Sequence, residues 1–401
     1  MTYGEIVRAQ FAKHMGAVVA LWVLLALFLL ATYAPVLAFD VPFWTSLEGA
    51  PASPWLRSLF DPRVFPLDVD VFFNWLMATL PLLWALARFA RGRLRSRLLL
   101  CWLLLQFGGF LVLSEVRADW RQEYRDWPTA VHEAKATAAW PPIVHHPSSG
   151  LSQFSLSRPL SDGTLLQGGE APPRELWPYY LLGADHLGND VFTRLLYGTR
   201  ISLTIGILAV AIYVTIGIIL GALAGYFGGW WDDFLMFVTQ VVMTIPALFL
   251  ILFILAVVDK PTIYHIMLVI GGLGWPGVMR LVRGEFLRQR EIDYVNAARA
   301  LGLGNRRIMF RHIVPNTMAP VLVAATFGVA GAILLESTLS FIGLGDPAAP
   351  SWGRVLQGGF ESGKLGRHLV WSSGTAIFLT VLILNMIGEG LRDALDPKLR
   401  R

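Results

Sequence analysis

The sequence predicts an all-α, polytopic membrane helix bundle with about eight transmembrane helices. The chain of 401 residues is 55% hydrophobic and only 15% charged, and its mean hydropathy is +0.55. Soluble domains carry about 25% charged residues. The apolar residues come in long blocks without helical or strand alternation, and such blocks are typical of membrane-spanning helices.

Eight apolar runs approach the roughly 20 residues that a helix needs to cross a hydrocarbon core. The second and third runs are the shortest. The first is too long for a typical signal-peptide core and is followed by further spans, so we interpret it as a membrane helix. The runs cover residues 17–38, 72–90, 98–114, 201–224, 234–258, 263–282, 317–341 and 371–390.

Arginine and lysine cluster in three segments that eight spans would place on one side of the membrane, namely 91–97, 283–311 and 392–401. Because basic loops stay in the cytoplasm, we predict cytoplasmic N- and C-termini and an extracytoplasmic segment 115–198. The turn 225–233 has two acids and no base. Acidic residues contribute little to topology, so the assignment stands. Orientation explains the positive charge, and we expect no nucleic-acid partner.

We divide the chain into four parts. Proline, serine and glycine clusters punctuate the third part, which is typical of loops and short elements. The sequence has no internal repeat and no glycine-rich phosphate loop, so we expect no ATP hydrolysis by this chain. The parts are an N-terminal amphipathic segment with the first span and an outer loop (1–71), an extra two-span hairpin (72–114), an extracytoplasmic loop region (115–198) and a core of spans (199–401).

The most informative stretch is a basic, partly helical loop at residues 285–316, between two apolar runs. Ile292, Val295 and Ala298, followed by Leu301, recur at spacings of three and share one side of a predicted helix. Such a short amphipathic helix suits two roles. It docks in a groove of a soluble partner, or it lies on the membrane surface among lipid phosphates. Periodicity alone leaves both roles open.

The residues around this helix predict where it starts and ends. If Asp293 caps it, Asn296 stands at the third helical position, where Glu would complete a capping box and Asn does so poorly. Gly302 is predicted to end the helix in a left-handed conformation that side chains disfavour. Asn305 is predicted to cap a second short helix, and Pro315 to separate that helix from the next span or to kink their junction.

Asp185, His186 and Asp190 lie close together in a glycine-rich outer segment and invite a metal site. Three candidate ligands in such a segment are a weak signal, whereas an aspartate just before a helix commonly caps it. We therefore favour Asp190 as the cap of the helix that follows, and we expect no metal. His145 and His146, beside a proline, are likewise interpreted as loop residues.

Glu336 is the clearest ionisable residue inside a predicted span. A charge there is costly, so an intramembrane acid is a functional candidate by default. Three interpretations stay open: a place on a transport pathway, a pair across a subunit interface, or a position close to the outer membrane interface. Gly217, Gly221 and Gly225 form a stripe at spacings of four, which predicts helix packing rather than contact with substrate.

Four segments of the chain resemble the permeases of bacterial ABC importers. In the loop, Asn296-Ala297-Ala298, followed by Gly302 and Pro315, is similar to the cytoplasmic signature of that family. The family pattern is Glu-Ala-Ala, three residues, Gly, and a Pro thirteen further on. The glycine and proline fall on the expected positions, and Asn296 replaces the usual glutamate.

The resemblance is closest to dipeptide and oligopeptide permeases of the second-permease type. Residues 182–203 are similar to the segment before the core helices, which runs close to Leu-Gly-Thr-Asp-x-x-Gly-Arg-Asp; here Ala184 and Asn189 replace the Thr and the Arg. The matching positions are Asp185, Gly188 and Asp190. The other two similar segments are 333–353 and 376–397. The hairpin 72–114 departs from the pattern, because the usual second permease lacks it.

The resemblance implies a type I ABC-importer permease core in the bacterial cytoplasmic (inner) membrane. It implies import of peptides or similar solutes, with nickel chelates, opines and peptide antibiotics as alternatives. The implied partners are a homologous second permease, cytoplasmic ATPase subunits, an extracytoplasmic solute-binding protein and membrane lipid. ATP and magnesium would bind to the ATPases, and no cofactor is expected on this chain. The loop at 285–316 would couple ATP hydrolysis to transport.

Two other classes of protein compete with this interpretation. A secondary transporter or channel would often show charged residues in mid-span or broken, repeated helices, and neither is clear in the sequence. An intramembrane enzyme would need paired acids, a metal site or an activated serine within spans, and Glu336 alone does not make such a set.

Overall fold

The computed structural model describes residues 3–46, 53–89, 92–116, 136–148, 154–160 and 180–396, together with residues 127, 130, 131, 134 and 150. Its regular elements are nearly all helices. One short antiparallel ladder pairs β1 (Trp44–Thr45) with β2 (Ala138–Ala139), and Trp44 lies opposite Ala139. The helices in chain order are α1 (Tyr3–Phe11), α2 (Met15–Thr32), α3 (Ala34–Leu37), α4 (Pro54–Ser58), α5 (Asp68–Phe89), α6 (Gly92–Val116), α7 (Val191–Phe227), α8 (Gly229–Thr244), α9 (Ala247–Ala256), α10 (Ile263–Leu273), α11 (Trp275–Gln289), α12 (Asp293–Ala300), α13 (Asn305–Arg307), a π-helix (Ile308–Ile313), α14 (Val314–Phe341), α15 (Trp352–Glu361) and α16 (Arg367–Leu395).

Seven helical stretches in the described part of the chain are long and apolar enough to cross a membrane, and the bent pair α8–α9 makes an eighth if it is one broken span. The predicted all-α membrane bundle of about eight spans is thereby confirmed. The long apolar blocks explain this success, because the cost of exposing backbone polar groups in lipid makes each block helical.

The fifth predicted run, 234–258, is not one continuous helix. Helices α8 and α9 meet at an angle of 79°. Ile245 is extended, with φ −87° and ψ 126°, and Pro246 follows it. Proline has no N–H to donate, and it drives the preceding residue out of the helical region. Both helices are apolar, so the hydropathy of the run does not show this break.

The predicted arginine-rich loop 91–97 is also shorter than expected. Helix α6 already begins at Gly92, so residues 92–97 form its first turns, and residues 90 and 91 lie outside the described part. Arginine is a good helix former, and a charged segment next to an apolar run extends the helix beyond the membrane core.

Helices α5 and α6 form a hairpin that polar contacts join in its apolar interior. The hydroxyl of Thr79 donates to Oε1 of Gln106 at 2.7 Å. The indole of Trp102 donates to the carbonyl of Thr79 at 3.1 Å, and that of Trp75 to the carbonyl of Leu105 at 3.3 Å. Such hydrogen bonds, with small residues, hold helices together where lipid removes the hydrophobic drive.

The first turns of α5 are fixed to other elements by Arg200, a fully buried residue of α7. Its guanidinium donates to the carbonyls of Ala31 and Thr32 at 2.7 and 3.2 Å and pairs with Asp70 at 3.0 Å. The two carbonyls belong to the last turn of α2, which has no further intrahelical donors and carries negative dipole charge. The ring of Phe73, on α5, lies 5.3 Å from the same guanidinium.

The chain separates into two compact units. The first contains Met1–Leu25, Ser202–Asp346 and Ile377–Arg401, and the second contains Ala26–Ile201 and Pro347–Ala376. Asp70, Arg200 and the α5–α6 hairpin all belong to the second unit, so the start of α5 is an integral part of that unit. The four-part division made from the sequence stays a prediction.

The glycine stripe of α7 packs against α11 in the first unit. A Cβ at Gly217 would lie 2.6 Å from Val278, one at Gly221 would lie 2.6 Å from the carbonyl of Met279, and one at Gly225 would lie 2.5 Å from Phe286. These distances leave no room for a side chain, so the two helices approach closely along the whole stripe. The predicted packing role is confirmed.

Candidate functional site

Helix α12, the predicted loop helix, rests on the core of the first unit. Val295 and Ala298 are buried, and they pack in one cluster with Phe286 from α11 and with Ile308 and Met309 from the π-helix. The chain reaches this position through an extended Ile292. The helix is therefore seated on the two elements that precede and follow it.

The C-terminal end of α12 is a Schellman motif, as the glycine predicted. Gly302 has φ +73°, its N–H donates to the carbonyl of Arg299 at 2.9 Å, and the N–H of Leu303 donates to the carbonyl of Ala298 at 3.1 Å. These two hydrogen bonds satisfy carbonyl groups that have no hydrogen-bond donor within the helix at its C-terminal end. Nothing lies within 4 Å of a Cβ added at Gly302, so only the backbone conformation demands glycine there.

The start of α12 differs from the prediction. The N-cap is Ile292 and Asp293 is the first helical residue, so Asn296 stands at the fourth helical position. A residue there points away from the N-cap, and a capping box cannot form whichever side chain it carries. Instead, the side-chain amide of Asn296 approaches the carbonyl of Glu291 at 3.5 Å, and its oxygen accepts from Arg299 at 3.4 Å.

Asn305 also has a different role from the predicted cap. The N-cap of α13 is Gly304, and Asn305 is the first helical residue. Its side-chain oxygen accepts a hydrogen bond from the hydroxyl of Tyr226 at 3.0 Å, and the guanidinium of Arg299 lies 5.6 Å from the centroid of the Tyr226 ring. Tyr226, near the end of α7, therefore contacts both sides of the Gly302 turn.

Pro315 neither separates two helices nor ends one. Residues 305–341 are continuously helical, and the six residues Ile308–Ile313 just before α14 form a π-helix. The N–H of Val314 bonds to the carbonyl of Met309, five residues earlier. Because Pro315 lacks an N–H and its ring crowds the preceding turn, a wider turn accommodates it without breaking the helix.

The outward face of α12 is small and partly apolar. Asn296, Ala297 and Ala300 are exposed, and Leu301 is 80% exposed. Ala298 faces inward, so it is part of the base of the helix and does not belong to this face. Leu301 does not share the side of Val295 and Ala298, as its spacing predicted, because the left-handed turn brings Leu303 against the cluster in its place.

The acidic turn 225–233, an exception to the charge pattern, is explained by a basic partner. The carboxylate of Asp232 pairs with the guanidinium of Arg283 through two hydrogen bonds. Arg290, at the end of α11, donates to the carbonyl of Gly225 at 3.2 Å. Arginines of the loop region thus hold the ends of α7 and α8.

The outer segment around Asp185 is a closed turn in the second unit. One carboxylate oxygen accepts from the N–H groups of Leu187 and Asn189 at 2.8 and 2.9 Å, and Arg194 forms an ion pair with the other. Gly188 has φ +81°, which the turn requires. Burial alone would raise the pKa of Asp185, but the Arg194 guanidinium and the bonds from Asn189 hold it below its usual value.

Asp190 caps α7, as the sequence predicted. One carboxylate oxygen accepts from the N–H and from the hydroxyl of Thr193, both at 2.7 Å. Its other oxygen, Oδ1, is buried without a hydrogen-bond partner. Burial raises the pKa of Asp190 to about 6 against the effect of the Thr193 bonds. Among the described residues, no group of three His, Cys, Asp or Glu side chains is arranged to hold a metal.

The two neighbouring histidines lie among aromatic rings rather than in an open loop. His145 stacks on Tyr180 with 4.8 Å between ring centroids, and His146 lies 5.4 Å from Phe65. Burial lowers the pKa of both to about 3, and the charge of Arg200 adds to this effect at His146. Both imidazoles are therefore neutral components of the core of the second unit.

Glu336 is buried in the first unit between α14 and α7. The hydroxyl of Ser340 donates to Oε1 at 2.7 Å, and the hydroxyls of Ser202 and Ser337 lie 3.5 Å from Oε2. The side chain is only 1% exposed, and all three interpretations drawn from the sequence stay open. The serines solvate the carboxyl group within the chain itself.

Arg200 is a buried, charged residue that the sequence did not single out as important. A single arginine near the start of an apolar run resembles a flanking charge, and its partner Asp70 lies 130 residues away. The only available signal was that Arg200 directly precedes a long apolar run without charged residues.

Two family models match the chain. The model for the binding-protein-dependent transport system inner membrane component covers residues 217–401, and the model for the N-terminal TM domain of oligopeptide transport permease C covers residues 2–48. The first match includes α12, the Gly302 turn and Glu336. The second covers α1 and α2.

Curated relatives extend these matches. The dipeptide transport system permease protein DppC of Alkalihalophilus pseudofirmus is 39% identical over 232 residues, which are 58% of this chain and 75% of the relative. The oligopeptide transport system permease protein OppC of Bacillus subtilis is 36% identical, over 60% of this chain and 78% of its own length.

A third relative matches over a longer stretch. The peptidoglycan transport system permease protein YejE of Agrobacterium fabrum is 33% identical over 307 residues, which are 73% of this chain and 77% of the relative. Because this match covers 73% of the chain, it must begin well before residue 182. Part of the region before the outer segment therefore also has a counterpart among known permeases.

Proposed function

This chain belongs to the family of binding-protein-dependent transport system inner membrane components, and we propose that it moves peptides or similar small solutes as one permease subunit of an ATP-driven importer. The relatives that support peptides as the solute are named as dipeptide, oligopeptide and di/tripeptide permeases. The family consists of transport permease subunits, and this chain is a multi-pass membrane protein of that kind.

The observation that carries the coupling part of the proposal is the outward face of α12. Ala297, Ala300 and the 80% exposed Leu301 form a surface of mostly small side chains. The opposite face of the same helix is packed against the core of the first unit. Small side chains let a partner approach the backbone, and an exposed leucine fills a pocket. This face docks in a groove of a cytoplasmic ATPase subunit that binds ATP and magnesium.

Transport follows from movement of this loop as one body with the helices that it joins. One packed cluster contains Phe286 of α11, Val295 of α12 and Ile308 of the π-helix. A displacement of α12 is therefore transmitted to both α11 and α14. Packed cores shift as units rather than deform. ATP-driven closure of the ATPases therefore moves α11 and α14, and the permease opens to one side and then the other.

The complete importer contains further partners. A homologous second permease forms the other half of the pathway, and an extracytoplasmic solute-binding protein delivers the solute. Both termini and α12 lie in the cytoplasm, and residues 115–198 lie outside the cytoplasmic membrane. The arginine-rich start of α6 and the basic tail support this orientation. Labelling of single cysteines at positions 95 and 155 with an impermeant reagent, in a chain without Cys101, tests it, since only position 155 should react.

Docking is tested by retention of the ATPase on the purified permease, measured together with solute uptake in proteoliposomes. Leu301→Asp should release the ATPase and abolish uptake, because a charge replaces the apolar contact. Leu365→Asp is the matched control, since Leu365 is 63% exposed in a turn of the second unit. Full ATPase retention by Leu301→Asp would contradict the docking role of this face. Ala298→Asp is not a test of docking, because it places a charge in the chain's own core.

A further inference from the structure

An arginine and a glutamine meet within the apolar spans of the first unit, on surfaces that the chain leaves exposed. Arg280 of α11 lies in the sixth apolar run of the sequence, 263–282, and donates to Oε1 of Gln240 of α8 at 2.9 Å. Both side chains are exposed. Contact with hydrocarbon is costly for a guanidinium, so this face requires a different surrounding in the membrane.

The neighbouring ion pair shows that Arg280 extends into the membrane rather than back towards its surface. Arg283, three residues or about 4.5 Å later on α11, pairs with Asp232 in the first turn of α8. Gln240 lies eight residues, or about 12 Å, farther along α8 than Asp232. An arginine that borders lipid normally extends towards the headgroups. The side chain of Arg280 does the opposite.

The break between α8 and α9 lies next to this pair. The hydroxyl of Thr244, the last residue of α8, donates to the carbonyl of Gln240 at 2.8 Å. The 79° bend follows directly, and residues 243–249 are all exposed. A helix end leaves carbonyl groups without intrahelical donors, and at membrane depth such backbone is tolerated only where protein covers it or water reaches it. The bend and the arginine therefore both exclude lipid from this face.

The charge of Arg280 favours water over a dry protein contact here. Among the described residues, no acidic side chain pairs with Arg280, and its hydrogen-bond partner Gln240 is neutral. Burial of an unpaired charge in a dry interface is costly, whereas a water-filled pathway solvates it. A guanidinium has five N–H donors, so most of them stay available beside Gln240. Their planar arrangement matches a carboxylate, which accepts two parallel hydrogen bonds.

We propose that Arg280, held by Gln240 beside the α8–α9 bend, lines the water-filled transport pathway and binds the carboxylate group of the passing solute. The proposal rests on the function proposed above, because that function supplies both a pathway and a solute, the peptide, that ends in a carboxylate. Gln240 orients the guanidinium without neutralising it. A single ion pair in contact with water is weak, so the solute also leaves the site again, as transport requires.

The first test measures uptake by the complete importer, with its partner subunits, in proteoliposomes. Trialanine is compared with its C-terminal amide, which lacks the carboxylate. Arg280→Gln should lower the initial rate of trialanine uptake about tenfold relative to that of the amide. The same binding protein serves every variant, so its own preference cancels in this ratio. Arg280→Lys keeps the charge but not the planar fork, and its ratio should lie between the two.

Lys260→Gln is the matched control for the loss of one positive charge. Lys260 is exposed in the same unit, in the loop after α9. Its ratio of the two uptake rates should equal that of the unaltered importer. An unchanged ratio in Arg280→Gln, or an equal fall in both variants, would overturn the carboxylate contact. ATPase retention shows whether each variant is assembled, and Arg280→Lys supplies the comparison if the glutamine variant is not.

The second test asks whether water reaches the bend, and it leaves Arg280 in place. Thr244→Cys, in a chain whose Cys101 is replaced by serine, should react with a membrane-impermeant thiol reagent in the assembled importer. Leu104→Cys is the control, because Leu104 is 62% exposed on the apolar span α6 and should stay unlabelled among lipid. Absence of labelling at position 244 would mean that lipid or the second permease covers the bend, and it would overturn the proposal.

Failure of this proposal and failure of the proposed function are distinguishable. An unaltered importer that takes up neither trialanine nor its amide refutes the proposed function. An importer that takes up trialanine, with a rate ratio that does not depend on Arg280 or with position 244 unlabelled, keeps the function and refutes the carboxylate site alone.

Discussion

The loop around α12 and the segment around Asp185 both match the permease pattern, and each contains a turn at a glycine with positive φ. They differ in whether their side chains are bonded within the chain or exposed. Between Asp185 and Asp190 the polar groups bond mainly to one another and to the start of α7. Along α12, one face is buried and the other leaves Ala297 and Leu301 without a partner in the chain's core.

This difference separates a segment that shapes the fold from one that meets a partner. A turn whose donors and acceptors are paired internally contributes stability and has little left for recognition. A helix that is fixed on one side and exposes small and apolar residues on the other presents a preorganised contact surface. The same degree of family resemblance therefore supports two roles, and the contacts decide between them.

The largest effect should come from Arg200→Met in the second unit. The substitution removes the guanidinium that pairs with the buried Asp70 and that donates to the carbonyls of Ala31 and Thr32. Loss of one member of a buried ion pair costs about 3–5 kcal/mol. We expect the yield of the chain in the membrane to fall sharply and the thermal unfolding temperature in detergent to decrease. ATPase retention should fall only in proportion to the amount of folded chain.

A double variant sharpens that result. Arg200→Met combined with Asp70→Asn also removes the buried carboxylate charge, so it should recover part of the lost thermal stability. No recovery would show that the contacts to α2 matter more than the ion pair. The same logic applies to the α5–α6 hairpin, the part of the chain that departs from the family pattern. Deletion from residue 72 keeps Asp70 but removes Phe73 from beside the guanidinium, so stability should fall.

The second effect is a pH dependence at the Asp185–Asp190 turn. Burial raises the pKa of Asp190 from 3.8 to about 6. The folded chain therefore holds a proton that the unfolded chain has lost between these two values, and stability falls as pH rises through that window. The change is on the order of 2–3 kcal/mol for a shift of this size. Asp185, with its pKa lowered, contributes in the opposite sense and only at more acidic pH.

Asp190→Asn isolates this effect, because the amide oxygen still caps α7 and does not titrate. Unfolding temperatures of the two chains, measured in detergent from pH 4 to 7.5, should diverge as pH rises, with the variant losing less. Parallel curves would mean that Asp190 does not titrate in this range.

These two regions also show what a sequence can and cannot reveal. The left-handed Gly302 and the Asp190 cap are local features, and both were predicted because a few neighbouring residues determine them. The Arg200–Asp70 pair joins residues far apart in the chain, and no periodicity encodes it. The inward position of Ala298 and the outward position of Leu301 depended on where the chain turned after α12, which spacing alone left undetermined.

In the first unit, Gly302→Val should weaken coupling while the spans still fold. A left-handed conformation costs a residue with a side chain about 1–2 kcal/mol, and more for a β-branched one. That is small beside a total stability of about 5–15 kcal/mol but enough to displace a short helix end. ATPase retention and solute uptake should both fall. The matched control is Gly304→Val, since Gly304 has φ −67° and also has open space around it. Equal loss in both variants would rule out the left-handed turn as the cause.

The smallest effect concerns Asn296, the one position where the loop signature departs from the family's Glu. A capping box is excluded at the fourth helical position, so Asn296→Glu should not stabilise the start of α12. Its carboxylate instead gains Arg299, three residues on, which already approaches the Asn296 oxygen at 3.4 Å. Exposed pairs at this spacing contribute roughly 0.2–0.5 kcal/mol, and salt screens them. Uptake and ATPase retention should therefore match those of the unaltered chain at 0.5 M salt. A marked gain in ATPase retention that survives high salt would mean that position 296 contacts the ATPase directly, and it would extend the docking face from Ala297 and Leu301 to the start of the helix.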